Sequence, residues 1–183
     1  MNKFSSVCGE KSKSLILGLG SSASRLIENY KSKYLGIAEL ENIHMEGADS
    51  YCAGLDASDF DRVALRRALQ DVSALLLVTS GGGKSAGEMS SYTALYALSE
   101  NISVDVVLSY PLLWEGSRRR KNAVELHEEL KTIGATISVV DGKNNSGIEF
   151  ETYEEEFSLL DAQILKEVCL WVDEGRIVRT QLD

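Results

Sequence analysis

Short apolar runs alternate along this chain with stretches in which apolar residues recur at every third or fourth position. Leu15-Ile16-Leu17 runs into Gly18-Leu19-Gly20 and predicts a first strand. Ala23, Leu26, Ile27, Tyr30 and Tyr34 then follow at helical spacing, with Ser22 placed to cap the start. Leu35–Leu40 predicts a second strand, and the small polar residues between Gly47 and Asp56 predict a loop. Phe60, Val63, Ala64, Ala68, Leu69 and Val72 form a second helical stripe. Leu75–Val78 reads as a buried strand that enters Thr79-Ser80-Gly81-Gly82-Gly83, and a helix follows to about Ser99. Val104–Leu108 predicts the next strand. After a loop at Pro111, a helix through Leu126, Leu130 and Ile133 stops at Gly134. Thr136–Val140 is the last strand signal, Gly142–Glu156 reads as a polar, acidic loop, and Phe157 to about Glu174 as a strongly apolar final helix.

Strands apolar on both faces and separated by helices pair in parallel through right-handed crossovers. The expectation is an α/β fold, a Rossmann-like, mostly parallel sheet with helices on both faces. At 183 residues the chain suits one domain with a sizeable core. Lys plus Arg number 19 against 28 Asp plus Glu, a formal net charge of -9. Such a surface repels nucleic acid and anionic lipid, so neither is an expected partner. Cys8, Cys52 and Cys169 lie far apart, and His44 and His127 are the only histidines, which argues against a disulfide framework or a zinc site. Cys169, inside Val168-Cys169-Leu170-Trp171, reads as core. The N-terminus lacks an apolar segment and no apolar run approaches membrane-spanning length, so the expected location is the cytoplasm.

Two glycine turns follow predicted strands, where helix N-termini present unpaired N–H groups to anions. In Gly18-Leu19-Gly20-Ser21-Ser22 the third glycine of a dinucleotide fingerprint is missing near Ala23, and a tight strand-to-helix turn explains the pair equally well. In Gly81-Gly82-Gly83-Lys84-Ser85-Ala86-Gly87 the Gly-Lys-Ser tail of a P-loop is present. Val78 stands where that motif needs its first glycine, which removes a P-loop ATPase from consideration. This turn can cradle phosphate through its backbone, Lys84 and Ser85. Alternatively Ser85 and Glu88 form a capping box that satisfies the helix end without a ligand.

The order of segments adds a further signal. The triple-glycine turn, a helix, a strand and then Tyr110-Pro111-Leu112-Leu113-Trp114-Glu115-Gly116-Ser117-Arg118-Arg119 resemble the nucleotide-binding half of the tubulin/FtsZ family. That family carries a GGGTGTG-type loop followed by a K-P-F-x-F-E-G-x-x-R segment, which Pro111, Trp114, Glu115, Gly116 and Arg119 match. Phe157-Ser158-Leu159-Leu160-Asp161-Ala162 is similar to the S-L-L-D-A-F that opens the family's central helix, and the likeness runs from about Leu15 to Glu174. The resemblance implies GTP or GDP as ligand, with Mg as a companion ion. It implies that Gly81, Gly82, Gly83, Lys84 and Ser85 cradle the β- and γ-phosphates, and that Gly18, Gly20, Ser21 and Ser22 lie against the α- and β-phosphates. Glu115 would accept from the ribose hydroxyls and Arg119 would lie against the nucleotide. The bland alternatives are loop solvation for Glu115 and, because Arg118, Arg119, Arg120 and Lys121 are consecutive, a solvated face for Arg119.

The departures from the family bear on the base. Lys84 replaces the signature threonine, and Ser21 and Ser22 stand where glycines are expected. Gln163 replaces the phenylalanine that stacks on guanine. Glu167 and Val168 stand in place of an Asn-Asp pair, of which Glu167 alone can accept from the guanine edge, and Asp141 falls near the asparagine of the loop after the last strand. By the resemblance, residues 1–156 form the nucleotide-binding part and 157–183 the central-type helix and tail. The second domain and the hydrolytic loop fall beyond Asp183. The expected function is a guanine-nucleotide-binding protein linked to cell division or filament regulation, without conventional filaments or GTP hydrolysis of its own. The alternative is a nucleotide-free interaction module. Leu159, Leu160, Ile164, Leu165, Val168, Cys169, Leu170, Trp171 and Val172 leave little of the Phe157–Glu174 helix polar, so that helix is the expected contact for a second copy or a full-length FtsZ.

Overall fold

The computed structural model describes residues 13–20, 22–27, 39–42, 62–145 and 150–173. Five strands form one sheet: β1 (Lys13–Leu19), β2 (Glu39–Asn42), β3 (Val72–Ser80), β4 (Ser103–Tyr110) and β5 (Thr136–Asp141). Their order is β2-β1-β3-β4-β5, and every neighbouring pair is parallel. The helices are α1 (residues 22–27), α2 (Arg62–Ala68), α3 (Lys84–Ser99), α4 (Ser117–Ile133) and α5 (Tyr153–Trp171), with a 3₁₀ turn at Leu113–Glu115. The expected α/β sheet with helices on both faces is present.

The period-2 alternation of a strand splits the core into two layers. Leu15, Leu17, Leu75, Leu77, Val104, Val106 and Leu108 face α2, α3 and α4, while Ile16, Leu76, Val78 and Val107 face α1 and α5. Strands buried on both faces need apolar residues at consecutive positions, which is why Leu15–Leu17 and Leu75–Val78 read as unbroken runs. On α5 the buried stripe is Leu160, Ile164, Val168 and Trp171, one residue per helical turn against β4 and β5. Each such side chain contributes about 1.5–3 kcal/mol on burial. At the foot of this stripe the Trp171 indole N–H donates to the buried Asp105 carboxylate at 2.9 Å, so α5 runs antiparallel to β4.

Several boundaries differ from the sequence-based expectations. The second strand is described at Glu39–Asn42, and residues 35–38 lie outside the described part. Val72 opens β3 instead of closing the preceding helix, because Asp71 adopts φ 61° and ends the helical path. The final helix starts at Tyr153, not Phe157. Thr152 accepts from the Glu155 N–H at its cap, and Glu154, Glu155 and Glu156 place negative charge on the positive end of the helix. The acidic run that suggested a loop is the first turn of a helix. The apolar excess on α5 is largely taken up by packing, since Leu165, Cys169 and Val172 lie half-buried against the second layer. Phe157 and Leu170 remain exposed towards its two ends.

Candidate functional site

β1 continues outward to β2 on one side, whereas the chain after β3 continues to β4 and β5 on the other. The topological switch point therefore falls between β1 and β3, and in open α/β sheets the ligand crevice opens beyond the strand ends at that point. The register pairs Leu19 with Thr79, so the two glycine turns leave the sheet side by side. They are in contact. A Cβ built on Gly20 would stand 3.0 Å from the Ala86 Cβ in the first turn of α3. Gly20 holds φ 86°, and its carbonyl accepts the Ser24 N–H at 2.9 Å to begin α1. Gly18 lies against the Ala23 carbonyl, and its own carbonyl accepts from the Ser24 hydroxyl at 3.1 Å. Ser22 is exposed in the first turn of α1 rather than ahead of it, and Ser21 lies outside the described residues.

The triple-glycine turn is shaped by its neighbours. A Cβ on Gly81 would overlap Ala123 of α4, and one on Gly82 would stand 2.8 Å from Pro111 Cγ. The Gly81 N–H donates to the Ser109 carbonyl at 2.9 Å, and the Asn122 side chain donates to the Gly82 carbonyl at 3.3 Å. Gly81 and Gly82 thus have packing reasons to be glycine. Gly83 differs: a Cβ there would meet only Ala86 Cβ, at an ordinary 3.8 Å. Gly83 is also the N-cap of α3 and no side chain caps the helix. The Ser85–Glu88 capping box is therefore not formed. Ser85 is inside the first turn, and exposed Lys84 pairs with Glu88 at 3.7 Å. The Ser90 hydroxyl, 2.6 Å from the Ala86 carbonyl and 2.8 Å from the Thr79 hydroxyl, fixes this turn to the end of β3. An uncapped helix start with an open glycine is a place where backbone N–H groups can meet an anion.

The Pro111–Arg119 segment folds back on itself. One Glu115 oxygen accepts from the Leu112 N–H at 2.8 Å, and the other pairs with Arg119. Asp141 is held by Arg120, whose two guanidinium nitrogens lie 3.0 and 2.8 Å from its oxygens, and by the Lys143 N–H at 2.9 Å. Burial resists ionisation of Asp141, but these bonds outweigh it and hold the carboxyl below its ordinary value. The hydrogen bonds to Asp141 in turn push Arg120 up. Arg120 also donates to the Pro111 carbonyl at 2.8 Å and lies over the Tyr110 ring. Burial, followed by the charges of Asp141 and Glu128, raises the Tyr110 hydroxyl, which bonds His127 at 3.0 Å. Arg120 and Asn122, which hold the glycine end together, were not singled out from the sequence. Within four consecutive cations, only the rotational phase of α4 decides which one turns inward.

Gln163 and Glu167 lie half-buried one turn apart on α5. Gln163 is about 12 Å up the helix from Trp171. Asp105, which Trp171 reaches, is about 16 Å below the end of β4. By these distances Gln163 falls about 4 Å short of the strand end and Glu167 about 10 Å short. Burial raises the Asp161 carboxyl on the same helix, opposed by the charge of Arg25 on α1. Among the described residues no cluster of three or more His, Cys, Asp or Glu side chains could hold a metal.

Neither a family model nor a curated protein sequence matches this chain. Solved structures do. An empty FtsZ dimer from M. jannaschii superposes with a TM-score of 0.76 at 18% identity, over 88% of this chain and 55% of that one. CetZ2 of Haloferax volcanii, solved as a GTPγS-bound protofilament, gives 0.66 at 16% identity over 92% and 60%. TubZ of Clostridium botulinum phage c-st gives 0.62 at 11% identity over 88% and 59%. The chain spans somewhat over half the length of these proteins. The fold is that of the tubulin/FtsZ nucleotide-binding domain, in divergent form.

Proposed function

We propose that this chain binds a guanine nucleotide at the two glycine turns and acts in cell division or the regulation of division filaments. The observation that carries the reading is the contact between Gly20 and the first turn of α3 at the switch point, beside an uncapped helix N-terminus. The β- and γ-phosphates would meet Gly83, Lys84 and Ser85, and the α-phosphate would meet Gly20 and Ser22. The base would extend towards Gln163, with Glu167 as the acceptor for the guanine edge. GTP or GDP fits this cradle because its open position lies where the helix N–H groups point. Mg would arrive on the phosphates, which suits an ion that binds few protein carboxylates. Around the turns Glu88, Glu115 and Asp141 are each paired with a cation, which favours binding without hydrolysis by this chain alone. The FtsZ dimer and the CetZ2 protofilament support self-association or docking onto a related filament, and the location proposed with this reading is the cytoplasm. No described helix is long and apolar enough to cross a membrane.

One group of contacts favours the second reading, a nucleotide-free interaction module. Glu115 and Arg119 satisfy each other, and Gly82 is packed against Pro111 without any ligand. Titration with labelled GDP, GTP, ATP and NAD separates the two. The first reading expects GDP and GTP to bind more tightly than ATP and NAD. Absence of binding by all four at millimolar concentration leaves the module.

A further inference from the structure

Beside the candidate site, on the far side of the Leu113–Glu115 turn, three aromatic rings form a cluster open to solvent. The Trp114 ring lies 4.7 Å from Tyr153 and 5.5 Å, edge-on, from Phe157, centroid to centroid. Their exposures are 47%, 64% and 41%, and the adjoining Leu113 is 52% exposed. The cluster is held in place by the Trp114 N–H, which donates to Glu156 at 2.7 Å. Taking 150–250 Å² for each aromatic ring, these side chains offer on the order of 400 Å² of apolar surface, the size at which a patch on a single protein is commonly functional. The α5 side of the cluster is acidic: Glu151, Glu154, Glu155 and Glu156 adjoin Tyr153 and Phe157 along the chain, Glu156 bonds Trp114, and none of the four pairs with a cation among the described residues. The dipole of α5 accounts for the glutamates of the first turn but not for aromatic rings left in water between them.

We infer that this cluster is a docking site for a short segment of a partner protein that carries arginine or lysine among apolar residues. Charge chooses this occupant. The glutamate side, on a chain of net charge -9, repels a second copy and nucleic acid alike and attracts a basic segment, whose guanidinium can stack on an exposed ring while it faces a carboxylate.

The test uses the full chain and two synthetic peptides of alternating leucine with arginine or with glutamate, followed by NMR shift mapping. The arginine peptide is expected to bind, with shifts confined to Trp114, Tyr153, Phe157 and the first turn of α5, and the glutamate peptide is not. Tyr153→Ser and Phe157→Ser leave the charge unchanged and should each weaken binding tenfold or more, with far-UV circular dichroism unaltered. Because Tyr153 is the most exposed of the rings, its variant keeps the test open if Phe157→Ser fails to fold. Unchanged affinity in Tyr153→Ser, shifts that map elsewhere, or equal binding of the two peptides overturns the inference. So does a Tyr153-dependent dimer in sedimentation equilibrium.

Discussion

Arg120 grips Asp141 at two points, 3.0 and 2.8 Å, and thereby ties the start of α4 to the end of β5. The pair is partly exposed, so Asp141→Asn should cost about 1–2 kcal/mol at neutral pH. The folded carboxyl lies below its ordinary value of about 4, so the contribution is complete above that value. It declines as pH falls below that value and is gone once pH passes below the folded-state pKa. Urea midpoints for the two proteins should therefore differ most at neutral pH and converge in acid. Arg120→Lys, which keeps the charge but loses the fork, should fall between them.

Gly20→Ala tests the junction of the two turns. The alanine methyl would meet Ala86 at 3.0 Å and sit on a backbone of φ 86°. A cost of about 1–2 kcal/mol is expected, read as a fall in Tm of several degrees. An unchanged Tm would mean that the contact does not persist in solution.

Gly83→Asp separates ligand binding from folding. Gly82 cannot serve, because any side chain there strikes Pro111 and perturbs the fold whether or not a nucleotide binds. At Gly83 there is room, and an aspartate would cap α3 and place a carboxylate on its N-terminus. Stability should rise by about 0.5 kcal/mol while affinity for GDP drops tenfold or more. Higher Tm with undiminished GDP affinity would place the phosphates elsewhere.

Trp171→Phe removes a donor from a buried carboxylate. Lost hydrogen bonding and lost volume together should cost about 2–3 kcal/mol in chemical denaturation. In the Asp105→Asn background the same change should cost less, because an amide oxygen tolerates the missing donor better than a charge does.

The sheet was legible because its strands are buried on both faces, and Leu75–Val78 has no competing helical pattern. The ends of elements were not. Asp71 turns the chain through a conformation that its own side chain does not announce, so Val72 read as helix. The glutamates before Phe157 read as solvent-facing loop because their benefit comes from a helix dipole that exists only once Thr152 has capped it. At the site, the Glu115–Arg119 pairing is implicit in a spacing of four residues on a helix start, but the sequence reading points both outward, towards a ligand or solvent. Arg120 and Asn122 were hidden for a different reason. Their roles depend on where Pro111 and Gly82 lie in space, which no local pattern encodes.

The register of β1 on β3 carries a consequence for how the molecule is made. Leu15 lies opposite Leu75, sixty positions later, so β1 emerges from the ribosome well before the neighbour that completes it. Closing so long a connection is slow compared with forming a helix. The step that zips Leu19 against Thr79 also draws the two glycine turns together. A chain caught before that step lacks the close approach of Gly20 to the first turn of α3, on which the proposed nucleotide site depends.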